Sequence, residues 1–319
     1  MIAYVIRRLL QVIPVIIVSS FLVFMLLHLV PGDPAEIVAG PDATPQTVQA
    51  IRVKMGLDQP LLIQYGIWVS QVLQGDLGKS YISKMPVIDL VGYAFPATIQ
   101  LGLAALLIAL VISLPLGVLA AIKQASKIDL FVQGYTALGM GIPNFWLGIL
   151  LILLFALVLG VLPPGGRIDP MQNLGMGLKT LILPALTLSL NMSAVFTRFV
   201  RSAMLEVLHE DYVRTARAMG LQEQMVVLGY ALRSALVPVV TVVGLQFGRL
   251  LGGAVVIESV FAWPGVGRLI INAVEQRDYT IVQATLLGMV TIFVLINLIT
   301  DILYAYLDPR IRLSRGGLS

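Results

Sequence analysis

Long stretches without Asp, Glu, Lys or Arg dominate this chain. They cover 9–32, 90–122, 130–166, 180–197 and 279–300, and a further run, 234–257, is interrupted only by Arg249. A helix that crosses a bilayer needs roughly 20 apolar residues. Each run is long enough or nearly so, 180–197 by extending a little into its flanks. The run 130–166 is too long for one simple helix and short for two. Its Ile142-Pro143-Asn144 break predicts a helical approach over 130–141 and then a span near 143–162. The pattern predicts an all-α polytopic membrane protein with six transmembrane helices. Three segments between the runs stand out. Residues 31–95 are punctuated by Pro and Gly and read as a small lateral subdomain. Residues 204–233 are unusually polar for this chain. Residues 258–278 contain Trp263-Pro264-Gly265-Val266-Gly267.

Composition agrees with a bilayer as the solvent. Only 12% of the 319 residues are charged and 58% are hydrophobic, against about 25% charged in soluble domains. Such a chain lacks the polar surface to face water. Cysteine is absent, which excludes a disulfide framework and a thiolate metal site. His28 and His209, the only histidines, are far apart in sequence, and a net charge of +4 is too small for a nucleic-acid binder.

The placement of the basic residues is more informative. With the N-terminus inside, the inner segments hold 12 of the 21 Lys and Arg, and the longer outer segments hold 8. Both termini are therefore expected in the cytoplasm. Arg7-Arg8 followed by an apolar stretch also fits a signal peptide. Against that, the run exceeds an h-region, and Leu29-Val30-Pro31-Gly32-Asp33-Pro34 lacks a small-x-small cleavage site. The expected organisation is a first membrane helix over 1–30 and an extracytoplasmic subdomain over 31–95. A five-helix core over 96–307 follows, with the cytoplasmic loop 204–233 inside it, and then a cytoplasmic tail over 308–319.

Two glycine-rich stretches imitate nucleotide sites. Gly75-Asp76-Leu77-Gly78-Lys79-Ser80 has the ending of a phosphate loop, but Leu73 stands where that loop needs its first glycine. Gly265-Val266-Gly267 fails the dinucleotide pattern at Ile270. No Ser/His/Asp set and no clustered metal ligands appear, so energy has to enter through another protein.

The loop 204–233 offers the means. Arg214 to Met219 favours a helix, and Gly220 supplies the left-handed position that ends one. A second helical stretch from Gln222 leads through Ala231-Leu232-Arg233 into the next span. The result is a rigid projection, with Ala216, Ala218 and Gly220 small enough for close approach by a partner. The alternative is an ordinary amphipathic loop at the headgroups.

Here the sequence resembles a known family. Tyr212-Val-Arg-Thr-Ala-Arg-Ala-Met-Gly220-Leu221 is similar to the "EAA" loop of ABC importer permeases, in their di-/oligopeptide branch. Arg214, Thr215 and Ala216 take the Glu-Ala-Ala places. Tyr230, Leu232 and Arg233 stand where the general pattern has Ile, Leu and Pro. Other stretches resemble the same branch in order along the chain: Leu29 to Pro34, Met55 to Leu61, Gln64-Tyr65, Gly75 to Gly78, Ile142 to Gly148, and Phe261 to Gly267. Arg277-Asp278-Tyr279 does so too, although Thr280 replaces a usual Pro.

The resemblance implies a type I importer permease fold in a bacterial or archaeal inner membrane. It implies a heterodimer with a second, homologous permease subunit, two cytoplasmic ABC ATPases and an extracytoplasmic binding protein. ATP and Mg would be bound by the ATPases, with no cofactor in this chain. The substrate expected is a short peptide, with nickel complexes or glutathione as alternatives. A secondary transporter driven by an ion gradient would need paired intramembrane acids, and only Glu258 and Asp301, near span ends, are available. Tyr212, Arg214, Thr215, Ala216, Arg217, Ala218, Gly220 and Leu221 are the expected ATPase-coupling residues.

Inside the membrane, Arg249 is the anomaly, because an unpaired charge there costs about 2.5–3.5 kcal/mol or more. Gln246 lies on the same helix face. Both belong on a translocation path, or else Arg249 pairs with a backbone carbonyl, Glu258 or Asp301. Asn191 and Ser193 interrupt the fourth span and are further path candidates, or else interhelical hydrogen-bonders. Gly244, Gly248 and Gly252 form a small-residue stripe for helix packing. Trp263, Pro264, Gly265 and Gly267 are expected to form an outer gate, with Trp263 offering its surface to a partner. Trp68, Trp146 and Trp263 read as interface or packing aromatics, and a re-entrant loop that only packs is the alternative to the gate.

Overall fold

The computed structural model describes residues 2–29, 33–40 and 42–307. In chain order the helices are α1 (Ile2–Leu29), α2 (Pro34–Ala39), α3 (Pro45–Lys54), α4 (Leu61–Leu73), α5 (Val87–Ile122), α6 (Lys127–Gly141) and α7 (Asn144–Leu151). A π-helical stretch, Ile152–Val158, continues α7. After it come α8 (Leu174–Leu208), α9 (Asp211–Ala218), a second π-helical stretch Met225–Ala231, α10 (Leu232–Val260), α11 (Val266–Glu275) and α12 (Tyr279–Leu307).

Among the described residues, five helical segments are long and apolar enough to cross a bilayer. The bent unit of α6 and α7 with its π extension makes a sixth crossing where it counts as one. That unit turns through 100°. Its corner is Ile142, which is extended at φ −78° and ψ 125°. Pro143 causes this, because its ring forces the preceding residue out of the helical region and it has no N–H to continue the ladder. The expected break at 142–144 is therefore a sharp corner.

The helix α5 has 36 residues, about 54 Å at 1.5 Å per residue. It overshoots a hydrocarbon core of about 30 Å and so joins the two ends of the molecule. It packs along α8. In α8 the most apolar window is 72% buried inside the protein, against 17–39% in the other unbent spans. Being surrounded by protein explains why α8 is the least apolar run. Thr187, Ser189, Ser193 and Thr197 are all buried there, and the hydroxyls of Thr187, Ser189 and Ser193 bond back to backbone carbonyls of their own helix. The helix also extends well past the charge-free run 180–197, carrying Lys179 and Arg198 in its outer turns.

The core has three parts. Leu101, Leu183, Phe196, Ile257 and Trp263 fill the middle, between α5, α8 and α10. Val87, Phe95, Val266 and Ile281 close one end. Val118, Val200, Met204, Val227 and Ala235 close the other. The glycine stripe acts as expected at two of its three positions. A Cβ on Gly244 would lie 2.1 Å from Thr300, and one on Gly248 would lie 2.8 Å from Phe293, so α10 meets α12 there at backbone distance. At Gly252 nothing of this chain lies within 4 Å.

The segment 31–95 carries α2, α3 and α4. Tyr65 of α4 stands edge-on to Phe21 and shares a 2.8 Å hydrogen bond with Ser20, both on α1. Trp68 leans on Phe24, which places it as a packing aromatic. The false phosphate loop is a strap: Ser80 donates to the buried Asp278 carboxylate at 2.5 Å, tying the subdomain to the turn before α12.

Candidate functional site

The helix α9 and its flanks form a separate small unit at the α8–α10 end. Val213 and Ala216, one turn apart, are buried against Val226, with Val207, Leu208 and Leu221 around them. Acidic Asp211 begins the helix and basic Arg217 ends it, the order its dipole favours. Termination is a Schellman motif. Gly220 sits at φ +77°, its N–H reaches Arg217 O at 3.0 Å, and Leu221 N–H reaches Ala216 O at 3.4 Å. Arg217 then clamps the return strand of the loop, donating to both carboxylate oxygens of Glu223 at 2.8 and 3.1 Å. That hydrogen bond holds the Glu223 carboxyl below the usual glutamate range.

Three sequence expectations change here. Ala216 faces inward, because the amphipathic stripe of α9 has to cover Val226, and Leu221 is half-buried beside it after the turn. Arg217 is engaged by Glu223 within the chain, so it fixes the projection. The outward face is Tyr212, Arg214, Thr215, Ala218 and Met219, with Gly220 beside them. Arg214 makes only a loose 3.5 Å contact with Asp211, both well exposed. Asp129, at the start of α6, takes a two-pronged bond from Arg201 of α8 at 2.7 Å. This braces the α5–α6 turn beside the same end, and the sequence reading missed it because the partners are 72 positions apart.

In the middle of the molecule, Asn144, Asn191 and Gln246 line one cleft of about 120 Å³ together with Leu188, Met192, Leu250 and Gly253. Asn191 also donates to Gly139 O at 3.3 Å. Ser193 does not join them. It is fully buried and paired with Tyr135 of α6, because two positions along a helix turn a side chain away from its neighbour's face. The side chain of Arg249 lies outside the described residues. Its two candidate acids are engaged elsewhere, Asp301 with Arg8 at 3.3 Å and Glu258 with Thr98 at 2.5 Å.

The Trp263–Gly267 turn is an internal junction. Trp263 is completely buried and donates from Nε1 to Ala97 O of α5 at 2.9 Å. Trp263 therefore offers no contact surface to a partner and is a packing aromatic, since the ring fills the central core. Glu258 accepts from Thr98 Oγ1 and from the N–H of Arg268, while Thr98 accepts from the N–H of Val266 at 2.8 Å. The start of α11 is thereby capped from α10 and α5. A Cβ on Gly265 would strike the Glu258 carboxylate at 2.1 Å, which explains that glycine. Glu258 was legible in the sequence only as an acid near a span end.

Comparison with known proteins fits this geometry. Residues 113–313 match the family described as binding-protein-dependent transport system inner membrane component. Residues 1–102 match the N-terminal part of such components. The glutathione transport system permease protein GsiC of Escherichia coli O6:H1 is 45% identical over 312 residues, covering 98% of this chain and 99% of that protein. The GsiC proteins of Escherichia coli K12 and Shigella dysenteriae serotype 1 are 44% identical over the same coverage. Among solved structures, inward-facing conformations of the MetNI methionine ABC transporter give a TM-score of 0.57 at 19% identity, over 69% of this chain and 96% of that one. That likeness shows the fold. The chain therefore belongs to the binding-protein-dependent transport system inner membrane components, as the non-catalytic, multi-pass permease subunit of an ABC importer.

Proposed function

We propose that this permease passes short peptides, with the tripeptide glutathione the first substrate to test, and that α9 receives the thrust of a cytoplasmic ATPase. The observation that carries the coupling role is α9 itself. Its apolar stripe is spent on Val226, its C-terminal end is locked by Gly220 and the Arg217–Glu223 clamp, and its other face is bare. A helix held so firmly at its base transmits force, whereas a flexible loop would absorb it. Its two ends lead directly into α8 and α10, the helices that carry Asn191 and Gln246.

In this reading the α9 end is cytoplasmic, and the segments 31–95 and 258–278 face outward, as the basic-residue bias favours. A second, homologous permease subunit completes the channel, two ATPases bind below, and a binding protein delivers substrate above. Asn191, Gln246 and Arg249, three positions beyond Gln246, line the path during alternating access. The Trp263–Gly267 junction moves as a packed unit to close the outer mouth. The full-length similarity to glutathione permeases supports the substrate class.

The test is uptake by the whole complex in liposomes, with ATP inside and the cognate binding protein outside. ATP-dependent uptake of labelled glutathione, competed by unlabelled dipeptides, is expected. Uptake driven by an ion gradient without ATP, or ATP-dependent uptake of neither compound, overturns the proposal.

A further inference from the structure

Three neutral carboxamides line one cleft in the middle of the molecule. Asn144 is the first residue of α7, immediately after the 100° corner. Asn191 is at the midpoint of α8, and Gln246 is at the midpoint of α10. All three line the same cleft. Among the described side chains that line it none is charged, and the rest of the wall they form is Leu188, Met192, Leu250 and Gly253. Among the described residues, no group hydrogen-bonds the Asn144 carboxamide, and the side chain is half-buried.

The chemistry of this set is specific. A carboxamide presents a carbonyl acceptor and an NH₂ donor side by side. It therefore matches a peptide amide, which presents the complementary pair. The apolar wall has no group to read a side chain. At Gly253 nothing among the described residues lies within 4 Å of an added Cβ, which leaves room for side chains of different size. From this juxtaposition we infer that Asn144, with Asn191 and Gln246, forms a contact for the backbone amide of the passing substrate. The path then selects amide-bearing compounds while tolerating varied side chains. This rests on the peptide reading above and adds Asn144, which the sequence showed only as part of a helix break.

The test compares a labelled dipeptide with its ester isostere, in which the amide N–H is replaced by oxygen. Both are presented on saturating, preloaded binding protein to the reconstituted complex. A hydrogen bond formed with the passing amide corresponds to about a fivefold preference for amide over ester. Asn144→Leu is expected to bring that preference close to one while ester uptake continues, and Asn144→Gln is expected to restore it. An undiminished preference in Asn144→Leu overturns the inference. So does an equal fall of amide and ester uptake in both variants, which marks a structural role. A parental complex that takes up neither compound overturns the peptide reading first, and this inference with it.

Discussion

Gly220 separates the demands of this chain from those of a partner. At φ +77° an L side chain is strained, and nothing among the described residues lies within 4 Å of an added Cβ. Gly220→Ala and Gly220→Trp therefore carry the same backbone cost, about 1–2 kcal/mol. That raises the opened population of the turn by about 5–30-fold. Gly220→Asn costs less, because Asn tolerates the left-handed region. The Arg217–Glu223 clamp and the buried Val213, Ala216 and Val226 remain in all three. Any further loss in Gly220→Trp over Gly220→Ala then points to a wall beyond the described residues, which the proposed docking assigns to an ATPase. The assay is copurification of the ATPases with tagged permease, together with the ratio of ATP hydrolysed to substrate moved. We expect Asn to retain the ATPases, Ala to retain them with looser coupling, and Trp to lose them. A Gly220→Trp complex that keeps its ATPases and transports at the parental rate refutes the docking argument.

Other expectations follow from the packing and the charges. Trp263→Ala removes a fully buried ring and should cost about 3–5 kcal/mol, read as a lower melting temperature in detergent. An unchanged melt would contradict its role as an internal strut. Thr98→Val leaves the buried Glu258 carboxylate and the Val266 N–H short of a partner, at about 1–3 kcal/mol, and hydrogen exchange at the start of α11 should rise. For Glu223 the hydrogen bond from Arg217 lowers the folded carboxyl pKa, so its contribution is complete above the ordinary value of 4.5 and disappears as the pH falls below it. The protection of α9 amides, corrected for the intrinsic pH dependence of exchange, should therefore fall below that value in the parental chain, and Glu223→Gln should flatten the dependence. Because the chain has no cysteine, a single Asp169→Cys reports sidedness cleanly. Labelling only from the cytoplasm would reverse the proposed orientation.

The spans were legible because a bilayer imposes one strong rule, a long apolar run, and because Pro143 cannot sit inside a regular helix. The α9 turn was legible because Gly220 and the helix formers before it act over a few residues. The residues that lock the molecule were not. Thr98 reaches Glu258 across 160 positions, and Ser80 reaches Asp278 across 198. Such pairs carry no local signature. Ser193 and Asn191 read alike in sequence, yet helix phase sends one to Tyr135 and the other to the cleft. Trp263 beside Pro and Gly resembled an exposed turn. Only the neighbouring α5 shows that its ring is core.

The central claim is that α9 meets an ATPase, and a photocrosslinking pair tests it most directly. Met219 beside α9 and Leu62 on α4 are equally exposed, at 75% each, and lie at opposite ends of the molecule. A benzophenone attached at Met219→Cys is predicted to capture an ATPase subunit in the assembled complex, and one at Leu62→Cys to capture none. An ATPase adduct from position 62, or none from position 219 in a complex that still hydrolyses ATP, would contradict the account.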